Sequence, residues 1–391
     1  MGRSKTRSRS SSTPSPANSR CGAAVSSITS DRRGDAVSRE REVLRVGIIG
    51  LGKMGCIRAR ELARHQRAAF VCGSDPDPGR HAAHAGVECH TDYRAVIAAP
   101  VDAVFVCTPN RFTPDVICAA LDAGKHVFAE KPPGRDMADI ARIMDAERRN
   151  PALRLKFGFN HRYHAGVLEA KRIIDSGRLG RILWLRGIYG KSGGPEFERE
   201  WRSSRELSGG GILLDQGIHM LDLFRFFCGD FVEVKSMVTT AFWNVELEDN
   251  AFALLRDAQG RIGMLHSSST QWRHRFTLDL YTSGGYLTIN GILSSTRSYG
   301  DETITIARRQ LEPSAAPGKP REETLYFDTD PSWELEVGEF VQAVLDGGPI
   351  VHGTSRDAWA AMDLVYRIYG ADESWRIGAG AGRAGVAEGG R

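Results

Sequence analysis

The sequence predicts a two-part architecture: a doubly wound parallel α/β domain, then an α+β domain built on a large, mostly antiparallel open sheet. Three observations predict it. From Leu44 to about Asn160, apolar runs of strand length alternate with helical stretches. The first run leads directly into Gly50-Leu51-Gly52-Lys53-Met54-Gly55, which opens a helix. Beyond that region, strands follow one another with few helices between them. A chain of 391 residues is also too long for one ordinary core and fits two.

In the first part, residues 46–49, 69–72, 103–107, 126–129 and 155–159 read as strands buried on both faces, because their apolar runs are continuous. Helices are expected at about 54–65, 113–123 and 136–149; Gly124 stops the second and Pro151 follows the third. In the second part a helix at 165–176 leads to a strand at 182–189 and a loop rich in glycine and charge. A helix at about 213–227 follows. Strands are then expected at 232–240, 250–256, 261–267, 277–282, 286–289 and 303–307, punctuated by turns such as Ala258-Gln259-Gly260 and Ser283-Gly284-Gly285. Two helices, 332–345 and 355–369, finish the fold and are expected to cover one face of this second sheet.

Composition excludes several classes. Hydrophobic residues make up 41% and charged residues 26%, as in ordinary soluble proteins. The net charge of +4, much of it from the first forty residues, gives no focused basic surface for nucleic acid. No run reaches the roughly 18–20 apolar residues of a membrane helix. The seven cysteines are odd in number, lack a C-x-x-C pair and lie mostly in apolar runs, which points to a reducing, cytoplasmic setting. Residues 1–30 contain no acid and are dominated by Ser, Arg, Pro and Ala, so residues 1–43 read as a disordered tail. Transit-peptide, myristoylation (Met1-Gly2 with Thr6) and twin-arginine (Arg32-Arg33) readings compete with a bland tail or an upstream start. Residues 372–391 read as a loose C-terminal tail.

The glycine motif carries the cofactor reading. Gly50 permits a tight turn, Gly52 close approach to a diphosphate, and Gly55 close packing of helix on strand. The helix start at Lys53 and Met54 then offers free amides to phosphate. Asp75, twenty residues beyond Gly55, closes the next strand. A carboxylate there accepts hydrogen bonds from ribose hydroxyls and repels a 2′-phosphate, so NAD is favoured, with NADP kept open by Ser74 and Arg80. Residues 44–160 are accordingly assigned as an NAD-binding Rossmann domain and 161–371 as the substrate-binding, catalytic domain.

Two further segments carry chemistry. Glu130-Lys131-Pro132-Pro133 follows the fourth predicted strand, where the carboxyl ends of parallel strands face the ligand crevice. The alternative is a solvated loop lysine. In Gly209-Gly210-Gly211-Ile212-Leu213-Leu214-Asp215-Gln216-Gly217-Ile218-His219, helical spacing puts Asp215 and His219 at i and i+4. A carboxylate beside an imidazole would raise its pKa and orient it as an acid/base, with Asp222 extending the same face. The alternatives are a helix-start carboxylate with a core histidine, or a metal pair, for which no third ligand stands at convincing spacing.

Taken in order, the glycine motif, Glu130-Lys131-Pro132 and the Gly-Gly-Gly…Asp215…His219 segment resemble the glucose–fructose oxidoreductase, inositol dehydrogenase and rhizopine-catabolism (Gfo/Idh/MocA) family from about Leu44 to Gly370. The resemblance implies an NAD(P)-dependent oxidoreductase acting on CH–OH groups, with Lys131, Asp215 and His219 as the catalytic set. It makes His219 the acid/base and has Lys131 polarise the reacting oxygen. It implies cofactor contacts from Thr108, Pro109, Asn110 and Glu130, and substrate contacts from Asn160-His161-Arg162-Tyr163 and Trp201-Arg202, with Arg162, Tyr163, Trp201 and Arg202 as the chosen candidates. Thr113 stands where relatives often have histidine. The implied substrate is a sugar, nucleotide-sugar or cyclitol. Lys191, Arg199, Arg202 and Arg205 in the 189–205 loop suit an acidic one, against a simply solvated loop. Rival readings are an NAD-dependent glycosidase and a non-enzymatic NAD/sugar-binding regulator. A homo-oligomer through the second sheet is expected.

Overall fold

The computed structural model describes residues 43–311 and 318–375. The readings of the N-terminal tail, and of the C-terminal tail beyond residue 375, lie outside the described residues.

The first sheet is built from β1 (Leu44–Ile49), β2 (Ala68–Ser74), β3 (Glu88–His90), β4 (Ala103–Val106), β5 (His126–Glu130) and β6 (Leu155–Gly158). All its pairs are parallel and the order is β3-β2-β1-β4-β5-β6. The order reverses between β1 and β4, so the loops leaving their carboxyl ends open a crevice there. Helices α1 (Lys53–Arg64), α2 (Tyr93–Ala98), α3 (Thr113–Asp122) and α4 (Met137–Arg149) connect the strands. The sequence reading missed β3 and α2. Glu88-Cys89-His90 has no apolar run, and its strand exists only because β2 offers an edge to pair with.

The second part contains α5 (Ala165–Asp175), β7 (Ile182–Gly190), α6 (Arg205–Ser208), α7 (Ile218–Cys228), β8 (Phe231–Thr239), β9 (Asn250–Asp257), β10 (Ile262–Ser268), β11 (Arg275–Thr282), β12 (Gly285–Asn290), β13 (Glu302–Arg308), β14 (Glu322–Phe327), α8 (Ser332–Leu345) and α9 (Ser355–Ala371). Its eight strands are ordered β14-β13-β12-β11-β7-β10-β9-β8. Only β7 and β10 run parallel; the other pairs are antiparallel. One face is covered by α5, α7 and α9. Gly187 on β7 admits α7, since a Cβ there would lie 2.4 Å from Met220 Cγ. The other face is open and carries exposed Trp184, Met237, Phe252, Leu254 and Met264. β14, rich in exposed charge, was also missed.

Two expectations need correction. First, α8 does not cover the second sheet. Val337, Phe340 and Val341 share a core with Val46, Ile48, Phe105 and Phe128 of the first sheet, and Phe340 meets Phe105 and Phe128 edge-on at 5.5 and 5.7 Å. The chain thus returns late to seal the first sheet beside α1. Second, 213–227 is not one α-helix. Leu213–Gly217 is a π-helical turn that leads into α7. Glu248 holds its start, accepting from the backbone amides of Gly211 (2.9 Å) and Leu213 (3.0 Å).

Candidate active site

The glycine loop leaves the buried strand β1 and turns at Gly50, whose φ of +93° favours glycine. Gly50 N donates to Ser74 O at 2.8 Å, tying the turn to β2. Gly55 lies against the same turn: a Cβ there would fall 2.0 Å from Gly50 O. Gly52 caps α1 with no side-chain hydrogen bond, and no acid stands in the first turn, so the amides at Lys53 and Met54 meet no competing carboxylate. Asp75 is buried at the end of β2 and accepts from Leu51 N (2.9 Å), Asp77 N (3.0 Å) and Arg80 Nη1 (3.2 Å). These residues fit a dinucleotide. Gly50, Gly52, Lys53, Met54 and Gly55 would hold its diphosphate, and Asp75 a ribose. Arg80 reaches over the loop, 3.0 Å from where a Cβ on Gly52 would stand, and is flexible enough to yield.

The loop Thr108-Pro109-Asn110 leaves β4 across the crevice. Thr113 braces it, with Oγ1 3.0 Å from Thr108 Oγ1 and bonds to the carbonyls of Thr108 and Pro109. Asn110 is buried and donates to Ser208 O at 2.7 Å, so its amide joins this loop to α6. Glu130 is also spoken for. It pairs with the fully buried Arg58 of α1 at 2.6 Å, and Arg58 reaches on to Glu336 of α8 at 2.7 Å. The expected cofactor role of Glu130 is replaced by a role in joining α1, β5 and α8.

Lys131 emerges just beyond β5, with a cis bond to Pro132. Its Nζ donates to Asp215 O at 2.5 Å and lies 3.6 Å from Asp215 Oδ1. Two more cations converge on the same carboxylate: Lys191 Nζ at 3.1 Å and Arg202 Nε at 3.3 Å. Burial alone would raise the Asp215 carboxyl, but Lys191, Lys131 and Arg202 outweigh it and hold it well below the usual range. Burial pulls Lys131 below its ordinary value. Asp215 opposes that, while Arg202 and Lys191 add to it. His219, on the first turn of α7, is pushed well below an ordinary imidazole by burial, then by Lys131 and His164. Its Nδ1 is buried without a hydrogen-bond partner.

The structure therefore brings Lys131 to Asp215 and His219 from a segment 84 positions away, but not with the pairing expected. The Asp215 carboxylate bonds to cations, not to His219, and His219 is lowered where a carboxylate neighbour would have raised it. The π turn alters the i, i+4 geometry that the sequence reading assumed. His219 is oriented instead by His161, whose ring stacks on it at 3.8 Å and 20°. His161 is held by Asn160 Oδ1 (3.1 Å) and Tyr189 OH (3.1 Å).

Asp222 does not extend a catalytic face; it forms a buried two-pronged pair with Arg162 at 2.8 and 2.5 Å. Arg162 also reaches Asp357, and Tyr163 OH meets Lys156 (2.6 Å) and Glu339 (2.5 Å). Both are buried and internally satisfied, so the expected substrate contacts from Arg162 and Tyr163 are withdrawn in favour of structural ones. Trp201 lies under the Arg202 guanidinium at 4.4 Å. His161 and Lys191, named at the sequence level only as part of a substrate segment and a charged loop, prove to touch the catalytic group directly, and Gln216 and Tyr299 were not selected at all. Gln216 Nε2 donates to Tyr299 OH at 3.2 Å, and Tyr299 packs on Tyr189. For Gln216 the local signal was its adjacency to Asp215.

Among the described residues no group of three or more His, Cys, Asp or Glu could hold a metal ion, and no helix is long and apolar enough to cross a membrane. Residues 44–158 match the oxidoreductase family with an NAD-binding Rossmann fold, and residues 167–288 match the GFO/IDH/MocA C-terminal domain. Curated relatives include a levoglucosan dehydrogenase of Pseudarthrobacter phenanthrenivorans, 27% identical over 63% of this chain and 73% of that protein. An inositol 2-dehydrogenase of Saccharopolyspora erythraea is 26% identical over 74% of this chain and 84% of its own. A myo-inositol 2-dehydrogenase of Thermotoga maritima is 28% identical over 66% and 79%. Among solved structures, a levoglucosan dehydrogenase in complex with NADH superposes with a TM-score of 0.75 at 22% identity, covering 85% of this chain and 98% of that one, a likeness of fold. With both of its halves matched in the order the family requires, the chain belongs to the Gfo/Idh/MocA oxidoreductase family.

Proposed function

We propose that this protein is an NAD-dependent dehydrogenase that oxidises a ring hydroxyl of a sugar, nucleotide-sugar or cyclitol to a ketone, or runs the reverse reaction. The observation that carries the reading is a buried imidazole with a free ring nitrogen beside an ammonium group. His219 is kept neutral by its surroundings, and Lys131 is anchored next to it by Asp215. The dehydrogenase names of the relatives support a sugar or cyclitol as substrate. Asp75 supports NAD over NADP, while Arg80 beside it keeps NADP within reach.

The nicotinamide of the bound cofactor supplies the hydride acceptor. Neutral His219 takes the hydroxyl proton as the carbon gives up its hydride, and Lys131 hydrogen-bonds the same oxygen as charge builds on it. Asp215 holds Lys131 in place and stays ionised throughout. Asp75, Gly50, Gly52, Lys53, Met54 and Gly55 bind the dinucleotide, and Thr108 and Pro109 flank its path toward Lys131. Trp201 and Arg202 stand on the substrate side. The exposed apolar strip on the second sheet supports pairing with another copy of the chain.

A screen of sugars, inositols and nucleotide-sugars for NADH absorbance tests the reading. With the substrate found, Lys131→Ala and His219→Ala are expected to abolish turnover while NADH binding survives. Full activity in either variant overturns it.

A further inference from the structure

Cations in the 189–205 loop region fall into two groups. Arg199 is matched by Glu196 at 3.2 Å and Arg205 by Glu246 at 3.5 Å, one acid to one base, both on the surface. Lys191 and Arg202 have no such private partner. They share Asp215 with Lys131, so three cations meet one carboxylate. The two histidines that stack beside this group are held neutral by burial and add no compensating charge. Glu130, the other acid acting on Lys131, is already paired with Arg58. The cluster is partly open, with the Lys191 side chain 19% and that of Arg202 36% exposed.

Like charges gathered around one carboxylate repel one another, and a further anion beside them relieves that repulsion. The donor inventory shows where one would bind. Arg202 spends only Nε on Asp215, and both of its Nη groups are without a hydrogen-bond partner among the described residues. Lys191 spends one of three ammonium protons. A guanidinium edge and an ammonium side by side match the oxygens of a carboxylate or phosphate.

We propose that Arg202 and Lys191 form an anion subsite, so that the substrate is a sugar or cyclitol derivative bearing a carboxylate or phosphate close to the hydroxyl that reacts. This rests on the dehydrogenase reading of the same site and narrows its substrate class. Arg202 supplies the two-pronged contact, Lys191 the second charge, and Asp215 keeps both aimed while Lys131 remains free for the reacting oxygen.

Calorimetry on the full chain saturated with NADH tests it. D-Glucuronate and D-glucose 6-phosphate are compared with D-glucose and myo-inositol. At least one anionic probe is expected to bind about tenfold or more tightly than its neutral counterpart. The advantage should shrink with added salt and collapse in Arg202→Gln and in Lys191→Met, while NADH affinity stays unchanged. The stronger of the two anions says which group the subsite prefers. Equal affinities for charged and neutral probes, or an advantage that persists in both variants, overturns the proposal. NADH formation from neutral sugars with no preference for acids would sink the subsite and leave the dehydrogenase standing. A salt-sensitive anion preference in a protein that oxidises none of the probes would do the opposite.

Discussion

Replacing Arg58 by methionine removes the charge that joins three elements around the cofactor loop. Arg58 is fully buried on α1, 2.6 Å from Glu130 at the end of β5 and 2.7 Å from Glu336 on α8, with its guanidinium over the rings of Phe128 and Trp333 at 4.4 and 4.8 Å. Burial pushes the Glu336 carboxyl up to about 7, against the pull of Arg58. Breaking a buried pair by removing one partner costs about 3–5 kcal/mol, because the other charge stays behind in a dry site. Here Glu336 can escape part of that cost by taking a proton. Its folded pKa already exceeds the unfolded value, so its contribution favours folding at low pH and is lost as pH rises toward 7. In Arg58→Met the pKa climbs further, and the loss continues above 7 at up to about 1.4 kcal/mol per pH unit. The stability gap between the variant and the parent should therefore widen from pH 6 to pH 8, reaching about 3 kcal/mol or more at the upper end. Urea unfolding followed by tryptophan fluorescence at pH 6, 7 and 8 measures it. A gap below about 1 kcal/mol that does not vary with pH would refute the reasoning. The triple variant Arg58→Met, Glu130→Gln, Glu336→Gln should recover much of the loss, since no charge is then left unpaired.

The remaining predictions concern the site and the open face. Because burial, with Lys131 and His164, pushes His219 well below the ordinary imidazole value, the acid limb of kcat/KM should fall clearly below 6.5; a limb at 6.5 or above contradicts the assigned base. Gly55→Ala pushes a Cβ to 2.0 Å from Gly50 O, so the turn must shift, at a cost of about 1–3 kcal/mol and with NADH affinity reduced about tenfold or more. Unchanged NADH binding by fluorescence titration would show that this packing does not shape the loop. Met264→Glu, on the exposed row of the second sheet, should shift sedimentation toward a smaller species without unfolding the chain; an unchanged sedimentation coefficient argues against that face as the contact.

Much of this molecule could be read from local pattern. Strand and helix periods, and glycine at positions where a Cβ cannot fit, are properties of a few neighbouring residues, so β1, the Gly50–Gly55 turn, Asp75 and the open second sheet were legible. Motif order was enough to select Lys131, Asp215 and His219 as well. Their wiring was not legible, because electrostatic partners obey distance in space and not spacing in sequence. Lys131 meets Asp215 across 84 positions, and Arg58 meets Glu336 across 278. A helical ruler placed Asp215 on His219; the π turn and two cations from another loop took that carboxylate away. Glu130, Arg162 and Tyr163 carry groups suited to ligands, yet tertiary packing buried them beside opposite charges or hydroxyl partners and made them structural. Chemical type therefore came from the chain itself, whereas protonation state, pairing and the surplus of positive charge at Asp215 were decided only once distant segments excluded water together.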